Sequence, residues 1–145
     1  MSIIAAGLVF LCTPTLVADG DCPVWCAEGP RVRVAGIAAR ERDNSCRRGH
    51  PCPDASGDDA MRVLVNLLGG ARGRIRLRGA GYDHVRVSAP TMRCLSIGSA
   101  GGNRTGAFCT LGDGRNLSCT MLASGTVARW GRYWRSDQRC PRQSR

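Results

Sequence analysis

Arg33 and Glu41 stand eight residues apart in GPRVRVAGIAARE, residues 29 to 41, and bring a guanidinium fork and a carboxylate into one short segment. Two kinds of chemistry use such a pair. One is a structural ion pair at a sheet edge. The other is half of a phosphate-cleaving site, where a fixed guanidinium offsets charge building on phosphoryl oxygens and the carboxylate handles the water. The stretch by itself leaves both open. Arg31 and Arg33 alternate with Val32 and Val34, which predicts a strand with one cationic face and one apolar face resting on a core.

The whole chain agrees with an anionic partner. Its 145 residues carry a formal charge of +10, and all 21 basic residues are arginine, the planar donor that suits phosphate. That length fits one domain that buries roughly two-thirds of its unfolded surface. Nine cysteines, scattered rather than set in C-x-x-C pairs, point to disulfides and export. Residues 1 to 11, with IIAAGLVFL, read as a weak or truncated signal-peptide remnant, since no Lys or Arg precedes the apolar run. No later stretch approaches the roughly 20 apolar residues of a membrane helix, so no stable membrane insertion is expected.

The elements follow from periodicity and punctuation. CTPTLVADGDCPVWC gives two strands around the turn Asp19-Gly20-Asp21, and with the arginine strand they make a three-stranded meander. RERDNSCRRGHPCPD is loop-like. Ala60, Val63, Leu64, Leu67 and Leu68 share one helical face and predict a helix from about Ser56 to Leu68, with Asp58 and Asp59 suited to its dipole. Residues 71 to 99 read as two or three glycine-broken strands, TGAFCTL as another, and NLSCTMLASG as a short helix. The domain is expected over 12 to 140, with a basic tail at 141 to 145.

In that order the pieces resemble the thermonuclease, or staphylococcal-nuclease-like, family. VADGD at 17 to 21 is similar to the family's V-x-D-G-D, VRVAGIAARE at 32 to 41 to its R-(apolar)-x-G-I-D-A-P-E, and NRTGAFC at 103 to 109 to its Y-G-R-T-x-A-x-C. GDGRNLSCTMLASG at 112 to 125 resembles the glycine turn and helix that follow there. The resemblance implies an α+β, mainly β fold: a five-stranded OB-fold barrel with packed helices. It implies a nuclease cutting DNA or RNA with low sequence preference, acting as a monomer with calcium. Asp21 would ligate the ion with Asp19 beside it, Arg33 and Arg104 would clamp the phosphate, and Glu41 would direct the water. The alternative is a weakened nuclease-like domain that binds nucleic acid or other polyanions.

The pattern departs from the family at two points of the site. Its second metal carboxylate falls at Ala38 and its proline at Arg40. Calcium takes six to eight oxygens, so the loss weakens the site unless Asp19 or Asp43 substitutes, or Arg40 supplies positive charge directly. Arg40 also joins the expected nucleic-acid contacts. Residues 71 to 90 exceed the matching family stretch, and no tyrosine precedes Asn103-Arg104.

Eight cysteines are paired by position: Cys12 with Cys26, Cys46 with Cys52, Cys94 with Cys109, Cys119 with Cys140. Cys22 is left as an unpaired thiol beside Asp21. CRRGHPC lacks the fourth ligand of a zinc knuckle, and His50 and His84 receive no role. Trp130, Tyr133 and Trp134 either stack nucleobases, with neighbouring guanidiniums such as Arg132 meeting phosphates, or cap the barrel.

Overall fold

The computed structural model describes residues 3 to 141; the end of the expected basic tail, 142 to 145, lies outside the described residues. The chain is α+β and mainly β: a curled eight-stranded sheet, a two-stranded ribbon and two α-helices.

Chain order explains the sheet. β1 (Val9–Cys12) is followed by a meander of β2 (Pro14–Val17), β3 (Val24–Cys26) and β4 (Arg31–Val34), and then by short β5 (Ile37–Ala38). Helix α1 (Gly57–Leu67) leads to β6 (Gly73–Ile75), β7 (His84–Arg86), β8 (Met92–Ser99) and β9 (Arg104–Thr110). Helix α2 (Leu117–Ala123), β10 (Ala128–Arg129) and a 3₁₀ turn (Gly131–Tyr133) close the chain. The large sheet runs β1-β8-β9-β4-β3-β2-β7-β6, and β10 pairs with β5. Within it β4 and β9 are parallel, a pairing that requires the long crossover through α1 and the β8–β9 hairpin.

The sheet therefore has eight strands where five were expected. Removing β1 from one edge and β6–β7 from the other leaves the run β8-β9-β4-β3-β2. The apolar run expected as a leader remnant supplies β1, which pairs with β8, while the Ile4 amide donates to Thr105 Oγ1 at 3.1 Å.

Alternation sets the core. Val32 and Val34 are fully buried while Arg31 and Arg33, on the other face, are only partly buried, as the sequence pattern requires. Val17, Val24, Met92, Leu117 and Met121 join them beneath α1, whose Ala60, Leu64 and Leu68 face inward. The helix begins where expected: the Ser56 side chain accepts from the Asp59 amide at 3.0 Å, with Asp58 and Asp59 in the first turn. All four expected disulfides are present, Cys12–Cys26, Cys46–Cys52, Cys94–Cys109 and Cys119–Cys140, and Cys22 is free. Four disulfides in a chain of this size fit an oxidising compartment.

Candidate functional site

Helix α1 positions the acidic residues. A β-carbon on Gly20 would lie 2.6 Å from Ala60 Cβ, so the Asp19-Gly20-Asp21 turn sits directly on the helix. A side chain on Gly57 would collide with the Glu41 carbonyl, so the first helical turn also packs on the Glu41 backbone. Both contacts demand glycine. Together they bring Asp19, Asp21 and Glu41 to the rim of one cleft of about 430 Å³.

Arg33 reaches that cleft from β4 and Arg104 from β9. The two strands are parallel neighbours, and the residue opposite Arg33 is Gly106, where a β-carbon would lie 3.0 Å from Ile97 Cγ1, so Ile97 packs over the backbone at that point. Arg33 donates to the Val34 and Ile37 carbonyls at 3.3 and 3.1 Å and pairs with Asp21 Oδ2 at 3.5 Å. Arg104 donates to the Gly101 and Ala100 carbonyls, both at 3.1 Å, and to Cys22 Sγ at 3.0 Å. A guanidinium carries five N–H donors, so each arginine is fixed in place with donors to spare for an anion.

The Arg33 and Glu41 pairing left open by the sequence resolves in an unforeseen way. They share the cleft without pairing with each other. Arg33 takes Asp21, and Glu41 faces Arg47 at 3.6 Å across a largely exposed gap. Asp21 Oδ2 also accepts from the Ala39 amide at 3.0 Å. Burial raises the Asp21 carboxyl above its ordinary range, with Arg33 opposing that effect. Burial pushes Asp19 up to about 7, helped by the nearby Asp21 and Glu41 carboxylates and opposed by the Gly20 amide that bonds it. Burial likewise pushes the Cys22 thiol up to about 11, which keeps it protonated beside Arg104.

Hard carboxylate oxygens are the right donors for calcium, but these do not form a cage. Among the described residues no group of three or more His, Cys, Asp or Glu is arranged to hold a metal ion. Asp21 is already held by Arg33 and Ala39, and Ala38 is fully buried against Ala128. Asp43 is no substitute, because it accepts from Ser45 on the surface, away from the cleft. The residues present do not fit calcium as they stand.

Two other expected contacts are placed differently, and Trp134 takes the packing alternative. Arg40 turns away from the cleft and ties down the following loop through the Pro53 and Asn44 carbonyls at 2.7 and 2.8 Å. Arg132 is exposed and lies over Tyr133 rather than lining the cleft. Trp134 packs edge-on against Phe108, and Gly36, at φ 76°, makes room for it. Trp130 and Tyr133 do line the cleft.

The cleft also holds residues to which the sequence reading gave no role. His50 lies 4.3 Å from the Trp130 ring, with the Arg33 guanidinium 5.2 Å from the same ring. The available signal was CRRGHPC: closing Cys46 to Cys52 makes a small ring that presents Arg47 and His50 together. Burial, with Arg33 and Arg47 nearby, lowers the His50 pKa and keeps its ring neutral. Tyr82 forms another part of the wall, from a glycine-flanked loop that carries no sequence pattern. No family model, curated protein or solved structure matches this chain.

Proposed function

We propose that the protein is an exported, monomeric nuclease that hydrolyses phosphodiester bonds of DNA or RNA with low sequence preference, on an OB-type barrel of the thermonuclease kind. The five-strand run β8-β9-β4-β3-β2, with its parallel β4–β9 pair, supports the barrel reading. The observation that carries the function is the convergence of Arg33, Arg104 and Glu41 on one cleft from segments up to 71 residues apart in sequence, Arg33 to Arg104.

In this reading the two guanidiniums grip the phosphoryl oxygens with their spare donors and offset the negative charge that grows there. Glu41 takes the proton of a water in line with the leaving oxygen. A P–O bond forms from that water, the P–O bond to the leaving group breaks, and the departing alkoxide takes a proton from solvent. Trp130 and Tyr133 supply faces on which a base stacks. The calcium that the family resemblance implies enters no step here.

A second reading has its own support. The carboxylates Asp19 and Asp21 line the same cleft as Arg33 and Arg104 and, among the described residues, belong to no group of three or more side chains arranged to hold a metal, which suits a domain that retains anion binding and has lost turnover. Incubating purified protein with single-stranded DNA, with calcium and with chelator, separates the two. Products above a Glu41→Gln control support the hydrolase; binding without products in either condition supports the second reading.

A further inference from the structure

Two proton acceptors of different kinds face the same cleft. Glu41 opens the loop over 41–52 and His50 lies near its end, and both line the cleft with Arg33 and Arg104. That loop is held at several points. The Glu41 amide donates to the Ser45 carbonyl at 2.8 Å, and Arg40 donates to the Pro53 carbonyl at 2.7 Å. The Cys46–Cys52 bond closes the turn in which the His50 amide donates to the Arg47 carbonyl at 3.0 Å. Both side chains are therefore presented by backbone that is fixed before a ligand arrives.

His50 has the features of a base. Its ring lies 4.3 Å from that of Trp130, and the Arg33 guanidinium lies 5.2 Å from the same ring. The imidazole and the guanidinium are thus no farther apart than those two distances together, close enough to act on one nucleotide. No hydrogen bond among the described residues occupies either ring nitrogen, and a neutral imidazole offers one of them as acceptor. The charged groups around it are Arg33, Arg47, Asp21 and Glu41; burial and the two arginines lower its pKa, which leaves the acceptor free at neutral pH. The carboxylates form no metal cage among the described residues, so proton transfer and the arginines carry the reaction. An external water is a weak nucleophile under those terms. A hydroxyl already attached to the substrate gains from proximity: well-oriented intramolecular reactions reach effective molarities of about 10⁵–10⁸ M. RNA carries such a hydroxyl at each 2′ position, and DNA does not.

We infer that the cleft cleaves RNA through the substrate's own 2′-hydroxyl, with His50 as the catalytic base of that step. This narrows the nuclease reading, on which it rests, to RNA. His50 takes the 2′-hydroxyl proton and the 2′-oxygen forms a bond to phosphorus. The bond from phosphorus to the 5′-oxygen breaks, and that oxygen takes a proton from solvent. Arg33 and Arg104 offset the charge that grows on the phosphoryl oxygens. The product is a 2′,3′-cyclic phosphate. Glu41 then takes a proton from the water that opens this ring, and the departing 2′-oxygen recovers its proton from the His50 imidazolium.

The test incubates the full chain, with chelator and separately with calcium, with single-stranded DNA that carries a single ribonucleotide, and reads the product ends by mass spectrometry. Cutting is expected only on the 3′ side of the ribonucleotide, undiminished by chelator, through a 2′,3′-cyclic phosphate that becomes a 3′-phosphate. Glu41→Gln should accumulate the cyclic product. His50→Gln should slow the cut by at least about 100-fold at an unchanged melting temperature. Added imidazole should restore part of the rate to His50→Ala, which a purely structural role for His50 would not allow. Cutting at deoxynucleotides as readily as at the ribonucleotide, cutting only with calcium, a linear phosphate as the sole product of Glu41→Gln, or an undiminished rate in His50→Gln would overturn this route and leave the nuclease reading standing. No cutting in either condition would overturn both.

Discussion

Arg33 and Asp21 form an ion pair inside the cleft, Nη2 to Oδ2 at 3.5 Å, with only 13% and 12% of their side chains exposed. A carboxylate in that position competes with a bound phosphate for the same guanidinium. Asp21→Asn is therefore expected to raise oligonucleotide affinity by about tenfold, equivalent to roughly 1.4 kcal/mol. Burial outweighs Arg33 in setting the Asp21 charge, so the neutral variant is expected to keep or raise thermal stability at neutral pH. Anisotropy alongside a melting curve checks both; unchanged or weaker binding by a folded variant would show that Asp21 serves the ligand rather than opposing it.

Stability should fall as pH rises. Asp19 binds its proton up to about 7 in the folded chain against 3.8 for an ordinary aspartate, and Asp21 is shifted the same way. The folded state thus holds more protons than the unfolded one between those values, and stability declines through that window before levelling above it. The melting temperature is expected to be higher at pH 5 than at pH 8, with the difference reduced in Asp19→Asn. A profile that Asp19→Asn leaves unaltered would refute this account of the acidic cluster.

Gly20→Ala tests the seat of the acidic turn on α1. The added methyl would meet Ala60 Cβ at 2.6 Å, and overpacking of this kind costs about 1–3 kcal/mol. Chemical denaturation should detect that loss, and adding Ala60→Gly should recover part of it beyond the effect of Ala60→Gly alone. Simple additivity in the double variant would mean that the turn and the helix are not in contact.

Calcium at millimolar concentration is expected to leave the melting temperature within about 1 °C, because mass action stabilises only through a site that binds. Ala38→Asp should not create one. Its β-carbon is fully buried behind the cleft, so the new carboxylate loses its water and destabilises the chain. A calcium-dependent rise in melting temperature for Ala38→Asp would show that position 38 faces the acidic cluster after all.

Opening the Cys46–Cys52 ring by a double serine substitution should release Arg47 and His50 from the cleft wall. The expected loss in stability is about 2 kcal/mol, typical of a small loop. Ligand affinity should fall further than that of the cleft-distant Cys119–Cys140 double variant, measured at a temperature where both are folded.

Several features were legible in the sequence because they are local. The Val32 and Val34 alternation fixed which face of β4 meets the core, and Ser56 with Leu64 and Leu68 marked where α1 starts and which side it buries. The four cysteine pairings were legible from where the cysteines fall along the chain: Cys94–Cys109 joins the β8–β9 hairpin, Cys46–Cys52 closes a short ring, Cys119–Cys140 tethers the tail, and Cys12–Cys26 links the ends of β1 and β3 on either side of β2. Arginine content by itself set the expectation of an anionic partner. Tertiary structure alone decided who meets whom. Asp21 rather than Glu41 became the partner of Arg33, Arg40 was drawn off to Pro53, and Gly106 came to lie opposite Arg33. Those outcomes depend on strand register and on which side chains reach across a fold, and neither is encoded in the spacing of residues along the chain.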